Sequence, residues 1–205
     1  NSMTITYDDV KKAQETQSEI IRKTSLEFSE TFSKICGAKV FLKNEYEQKT
    51  GSFKIRGAYY KIKSLTDEQK SKGVVAASAG NHSQGVAFAS NIENIPCTIV
   101  MPRTASPAKV AATKSYGAKV VLEGSTYDES WDHAQKISAE TNATVIHAFD
   151  DSNVIAGQGV IGLEIMEELP DVDEIYVPIG GGGLVAGIIT AVKEKHPHVK
   201  IIGVE

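Results

Sequence analysis

The sequence predicts an α/β fold in which a mostly parallel sheet is covered by helices on both faces, and three observations predict it. From Val74 onward, apolar runs of four to six residues alternate with longer stretches of helical periodicity. The runs VVAA, CTIVM and KIIGVE are apolar almost throughout, as strands buried on both faces of a sheet are. Glycine and proline fall between them, where one element must stop and the next begin. Such a β/α alternation requires crossover connections, which are right-handed in parallel sheets.

In chain order, Thr6 to Arg22 reads as a helix, with Asp8 and Asp9 in its first turn and Val10, Ala13, Ile20 and Ile21 as apolar positions. A short helix over Phe28 to Ile35 is expected to stop at Gly37, and Lys39 to Lys43 to form a strand. A helix then carries Ile55, Ala58, Tyr59 and Ile62 as its apolar stripe. Strands are expected at 74–77, 97–101, 119–122, 144–147, 175–179 and 200–205. Helices are expected at 83–91, 107–116 (proline in its first turn, Gly117 beyond its last), 126–141 (capped by Thr126), 151–169 and 183–195. KIIGVE is a buried-strand sequence with nothing after it to cover it, so the chain reads as a fragment truncated at its C-terminus. Asn1 and Ser2 before Met3 read as an appended dipeptide.

A hydrophobic content of 41% supports a real core. The net charge of −4, with no basic run longer than Lys11-Lys12, gives no electrostatic support for nucleic acid or an anionic membrane, so a small molecule is the expected partner. No apolar run approaches a membrane span and no signal-peptide pattern is present. Cys36 and Cys97 lie far apart without histidines at metal-ligand spacing, which argues against a zinc site or disulfide framework and suits a reducing cytoplasm.

Three stretches carry candidate chemistry. In TGSFKIRGA, Lys54 stands at a helix start beside Phe53, with Gly51 and Ser52 as turn and cap residues. The helix dipole and apolar neighbours both disfavour its ammonium form, and the neutral amine is the form that attacks a carbonyl. The competing reading is a solvated surface lysine. Gly180, Gly181, Gly182 and Gly183 join the strand IYVPI to a helix. Four glycines let backbone amides and a helix N-terminus close on an anion, more than a tight turn needs, and they lack the spacing of a nucleotide-binding loop. SAGNH, Ser78 to His82, follows a strand where open α/β sheets place ligands. Ser78 and the amides around Gly80 can hold a carboxylate and Asn81 offers a donor and an acceptor, although alone this is an ordinary helix cap.

An amine suited to a Schiff base, a phosphate cradle and a carboxylate loop together suggest pyridoxal phosphate. The stretches TGSFKIRGA, SAGNHSQGVA, AGQGVIGLEI and PIGGGGLVAGI resemble, in order, the motifs of the fold type II pyridoxal-phosphate enzymes, in the branch holding catabolic threonine/serine dehydratases and serine racemases. RKTSLEFSETFSKICGAKVFLKNE extends the similarity upstream. The resemblance implies a tryptophan synthase beta-like fold of two open, mostly parallel sheets covered by helices. It implies a discontinuous large cofactor domain (1–70 and 151–205, incomplete at its C-terminus) around a small α/β domain (71–150).

Carried over, it implies that Lys54 forms the cofactor Schiff base and then acts as base at Cα, that Phe53 flanks the cofactor and that Asn81 bonds its ring hydroxyl. Gly180, Gly181, Gly182, Gly183 and Leu184 would hold the phosphate, and Ser78, Ala79, Gly80, Asn81 and His82 the substrate carboxylate. Glu205 resembles the first ligand of a divalent-cation site, magnesium or calcium, and the full-length protein is expected to be a cytoplasmic homo-oligomer, dimer or tetramer. The implied reaction is β-elimination from L-threonine or L-serine. Ala79 stands where racemases of this branch carry a serine, which disfavours the alternative of serine racemase, while Phe149, Asp150 and Asp151 resemble the dehydratase form of their loop. Ser25 and Ala148 replace prolines common at those positions, and the family's hydroxyl partner for the pyridine nitrogen lies beyond Glu205. A noncatalytic module of the same fold is the alternative from another class.

Overall fold

A computed structural model describes residues 4–205, so Asn1 and Ser2 lie outside the described residues. The elements run α1 (Tyr7–Gln17), β1 (Leu26–Phe28), α2 (Glu30–Cys36), β2 (Phe41–Lys43), a single 3-10 turn (Glu45–Glu47), α3 (Lys54–Lys63), α4 (Asp67–Lys72), β3 (Val74–Ala77) and α5 (Asn81–Ile92). They continue as β4 (Cys97–Met101), α6 (Pro107–Ser115), β5 (Lys119–Leu122), α7 (Tyr127–Thr141), β6 (Thr144–Val145), α8 (Ser152–Glu168), β7 (Glu174–Pro178), α9 (Gly183–Lys193) and β8 (Lys200–Val204).

Strands β5-β4-β3-β6 form one parallel sheet, β7 and β8 pair in parallel, and β1 and β2 form an antiparallel ribbon. Alternation along β3 and β4 divides the parallel sheet between two cores. Val74, Ala76, Ile99 and Met101 pack with the buried faces of α3 and α5, while Val75, Ala77 and Val100 pack with Ala134 of α7. The chain winds from β3 through β4 to β5, then returns by α7 to set β6 on the other side of β3. The strand order therefore reverses beside β3, and the loops after β3 and β6 flank the crevice where open α/β sheets bind ligands. A further core surrounds α8 and α9, with Val10, Ala13, Ile175 and Val177 against Ile161, Ile188 and Val192.

Several elements depart from the sequence expectations. The first helix ends at Gln17 instead of Arg22, because the buried Gln17 turns its Nε2 to the carbonyls of Arg56 (2.8 Å) and Gly157 (3.1 Å) and Ile21 folds into the core. Phe28 belongs to β1, paired with Phe41, and the second helix starts two residues later at Glu30. Helix α4 was not expected, although Thr66 and Gln69 form a full capping box at its start. One face of the β7–β8 pair is covered by α1, α8 and α9, and Tyr176 on the other face is 62% exposed. Strand β6 ends at Val145, two residues before the expected limit.

Helix α8 is gripped through glycines. A Cβ on Gly157 would lie 2.7 Å from the Arg56 carbonyl and from Gly57 Cα, and one on Gly159 would lie 2.7 Å from the Gly187 carbonyl. Helices α3 and α9 thus reach the α8 backbone itself. Below this crossing the fully buried Arg56 joins Glu45 (Nε–Oε1 2.6 Å) and Glu164 (NH1–Oε2 2.7 Å), and Lys43 adds a second cation to Glu164 at 2.7 Å. Burial alone would raise the Glu164 pKa, but hydrogen bonds and charge from Arg56 and Lys43 outweigh it and hold the carboxyl below its usual range.

Gly187→Ala would drive a methyl to 2.4 Å from the Ile155 carbonyl and 2.7 Å from Gly159 N, both backbone atoms that cannot rotate away. A loss of about 2–3 kcal/mol is expected in urea unfolding without added ligand. Gly180→Ala, whose Cβ meets nothing within 4 Å, should stay within about 0.5 kcal/mol of the parent.

Candidate active site

The residues TGSFKIRGA turn into α3 at Gly51, whose φ of 82° suits glycine, and Lys54 is the first helical residue. Phe53 occupies the cap position without a side-chain bond of its own, while Ser52 Oγ accepts from the Lys54 amide at 3.3 Å. The Lys54 side chain is half-buried, with Nζ 3.5 Å from the Ala148 carbonyl and 5.3 Å from the centroid of the Phe53 ring. Burial lowers its pKa from the ordinary lysine value, toward the neutral amine.

That amine opens on a cavity of about 320 Å³, lined by Phe53, Lys54, Gln158, the 148–149 loop and the run from Pro178 to Leu184. Gly182 caps α9 with φ 93° and no side-chain bond, so the first amides of this 11-residue helix face the loop uncapped. Cβ atoms on Gly180 or Gly182 would meet nothing within 4 Å, which leaves room against the backbone, whereas one on Gly181 would run into the Phe149 ring. A neutralisable amine at one wall and a roomy cradle of free amides at another fit a ligand that has both an aldehyde and a phosphate.

Helix α5 leans on α3 at Gly85, where a Cβ would lie 3.1 Å from Ile55 Cα. This close approach brings the loop Ser78–His82 alongside the first turn of the lysine helix. Ser78 Oγ accepts from the Gly80 amide at 3.1 Å and Ala79 and Asn81 are exposed. The His82 ring does not enter the loop: it is 5% exposed, with Nε2 bonded to the Ile146 carbonyl at 2.8 Å. Burial outweighs that bond and, with the charge of Lys54, lowers its pKa to about 4. The five residues 78–82 do not line the cavity itself; the segment Ile146 to Phe149 lies between, bonded to His82 on one side and to Lys54 on the other.

Sequence reasoning gave no role to Ala148, Gln158, Pro178 or Ile179, all of which line the cavity. Gln158 lies inside the quoted stretch AGQGVIGLEI, where a polar residue amid small and apolar ones was the available signal. The Phe149 ring packs edge-on against His147 (centroids 4.7 Å), which in turn meets Trp131 at 5.1 Å. His147 Nδ1 accepts from the amides of Phe149 (3.2 Å) and Asp150 (2.8 Å), a role for the neutral ring, and burial lowers its pKa in the same direction. Glu205 is exposed after β8, and the described residues contain no group of three potential metal ligands.

The model of the family described as "Pyridoxal-phosphate dependent enzyme" matches residues 17–205. The chain belongs to this family. Among its relatives, an L-threonine ammonia-lyase of Thermotoga maritima is 53% identical over 201 residues, 98% of this chain and 50% of that protein. Another from Geobacter sulfurreducens is 50% identical, over 97% of this chain and 50% of that protein. The solved structure of maize serine racemase superposes with a TM-score of 0.95 at 38% identity, covering 98% of this chain and 61% of that one. The processed threonine deaminase isoform 2 of Solanum lycopersicum gives 0.91 at 39% identity, covering 99% and 57%. The chain spans about half the length of the curated relatives it matches. These neighbours bear out the fold type II reading. No helix among the described residues is long and apolar enough to cross a membrane.

His82 supplies a pH test of the site's frame. Its folded pKa of about 4 lies below the usual 6.5, so the unfolded chain binds the extra proton. The His82 contribution is complete above about pH 6.5 and is lost as pH falls toward 4, a change of about 3 kcal/mol. In urea titrations over that range, His82→Gln should show a correspondingly shallower acid loss than the parent.

Proposed function

We propose that the full-length protein is a pyridoxal-phosphate-dependent threonine/serine ammonia-lyase that eliminates the β-hydroxyl of L-threonine or L-serine, giving 2-oxobutyrate or pyruvate and ammonia. One observation carries the reading: the half-buried, neutral-leaning amine of Lys54 opens on the same cavity as the uncapped amides of Gly180–Gly183. The relatives named L-threonine ammonia-lyase, at about half identity across nearly this entire chain, support it.

The cofactor, when bound, supplies an electrophilic aldehyde and a sink for the electrons left at the substrate Cα. The protein's own residues do the rest. Gly180, Gly181, Gly182, Gly183 and Leu184 would hold the phosphate by backbone amides and the α9 dipole. Phe53 would flank the ring, and Asn81, on the loop alongside the cavity, would bond its hydroxyl. Ser78, Ala79 and Gly80 hold the substrate carboxylate together with the backbone of Asn81 and His82, the His82 ring being committed to Ile146. Lys54 would hold the cofactor through its amine and, once free, would take the proton from the substrate Cα, a task its lowered pKa suits. Phe149 walls the cavity and helps to keep water from it. Ala79 has no group able to move a proton, so racemisation is not part of the proposal.

The reading includes a small domain at 71–150 inserted between 1–70 and 151–205, supported by a four-stranded sheet that lies wholly within the insert. It also includes a cytoplasmic homo-oligomer of two or four chains acting on a small amino acid.

The full-length protein should release 2-oxo acid from both substrates, and Lys54→Ala should lower that rate at least about a thousandfold. Borohydride reduction of the loaded protein should leave the cofactor's mass on the peptide containing Lys54. Undiminished turnover by the alanine variant, or an adduct confined to another lysine, would refute the assignment.

A further inference from the structure

Gln158 is a polar side chain set among small and apolar residues of α8, only 1% exposed, and it borders the cavity. Its orientation is determined by its partner. Oε1 accepts from the Gly57 amide at 3.0 Å, so the carboxamide cannot be flipped without facing two donors toward each other. The carbonyl of the cap residue Phe53, the ordinary acceptor for the Gly57 amide, accepts instead from Arg56 at 3.0 Å, so Gln158 completes the first turn of the lysine helix. Gly57 must be glycine for this: a Cβ there would sit 2.9 Å from both Cδ and Nε2 of Gln158.

That leaves the amide nitrogen. Nε2 has no acceptor among the described residues, yet it is not sealed among apolar atoms, because Gln158 forms part of the cavity wall. The neighbouring Gly159 meets Gly187 backbone to backbone, one helical turn beyond Gly183, so Gln158 stands beside the first turn of α9. A donor that faces a cavity with no protein acceptor is available to a ligand held there.

We propose that Gln158 is a phosphate-binding residue of this site, its Nε2 donating to an oxygen of the anion held by the Gly180–Gly183 cradle while its Oε1 fastens the first turn of the helix carrying Lys54. The inference rests on the cofactor reading above and deepens it. A single side chain then joins the anion to the helix that presents the amine, through two hydrogen bonds of opposite sense.

The test compares pyridoxal phosphate with pyridoxal, which lacks the phosphate, on the full-length apoprotein. Gln158→Glu keeps an oxygen for the Gly57 amide and replaces the donor with an acceptor. Its Kd for pyridoxal phosphate should rise at least about tenfold, while that for pyridoxal changes less than about threefold. Equal changes for the two ligands, or none, would overturn the inference and leave Gln158 a purely structural residue. A crystal structure of the wild-type holoenzyme gives an answer that does not depend on a variant folding: Nε2 should lie within about 3.2 Å of a phosphate oxygen. An Nε2 directed elsewhere overturns it. If the wild-type protein itself binds no pyridoxal phosphate, the cofactor reading fails first and this inference falls with it; normal wild-type binding with an indiscriminate variant removes this inference alone.

Discussion

Direct contact between helix backbones is the constraint on which this structure depends. Helix α8 touches α3 through Gly157 and Gly57, and α9 through Gly159 and Gly187, with no side chain interposed at either crossing. Helices normally pack about 8–10 Å apart on their side chains. Removing those side chains allows a closer approach, and it lets Gln17 and Gln158 span from one helix to the main chain of another. The same crossings bring the start of α3, with the Lys54 amine, and the start of α9, with the glycine loop, to the walls of one cavity. A methyl group at either crossing separates those walls before it touches any ligand.

Much of this was legible in the sequence because it follows from local rules. The strands 74–77, 97–101 and 119–122 have the expected limits, since each is a short apolar run bounded by residues that cannot continue it. Lys54, Phe53 and the four glycines come together in one cavity, as a helix start and a strand-to-helix junction of those compositions suggest. What was not legible depended on partners distant in sequence. The first helix is cut short by bonds from Gln17 to residues 39 and 140 positions away. His82 follows a loop with the composition of a ligand site, but its ring is taken by a carbonyl 64 residues further on. Gln158 stands out locally only as a polar residue among small and apolar ones, and its partner is an amide in a different helix. The capping box of α4 was a local signal and could have been read.

The electrostatics of the site are set by burial more than by charge pairs. Lys54, His82 and His147 each have their pKa lowered chiefly by desolvation, and in both histidines the nearby lysine charge acts in the same direction. The strong ion pairs lie below, where Arg56 joins Glu45 and Glu164 and Lys43 joins Glu164. Keeping the fixed charges there has a chemical consequence. A carboxylate beside Lys54 would stabilise its ammonium form and remove its nucleophilicity; an anion cradle made of amide dipoles needs no formal charge to work. The cavity can therefore accept a negatively charged group without a permanent counter-ion competing for the amine.

Helix α3 belongs to two cores at once, and this determines how the site is assembled. Ile55, Ala58, Tyr59 and Ile62 are buried with the parallel sheet and α5, whereas Phe53 and Tyr60 pack against the core of α8, α9 and β7. Its position relative to the loops after β3 and β6 is fixed by the first core, and relative to the glycine cradle by the second. Lys54 at its first turn is accordingly placed by both, though it supplies little packing to either. An amine on a flexible loop could reach the same carbonyl carbon, but it would have to lose conformational freedom with each encounter. Here that freedom is lost during folding, through apolar contacts made one and two turns further along the helix, and the Lys54 nitrogen keeps a long contact to the Ala148 carbonyl and a place over the Phe53 ring.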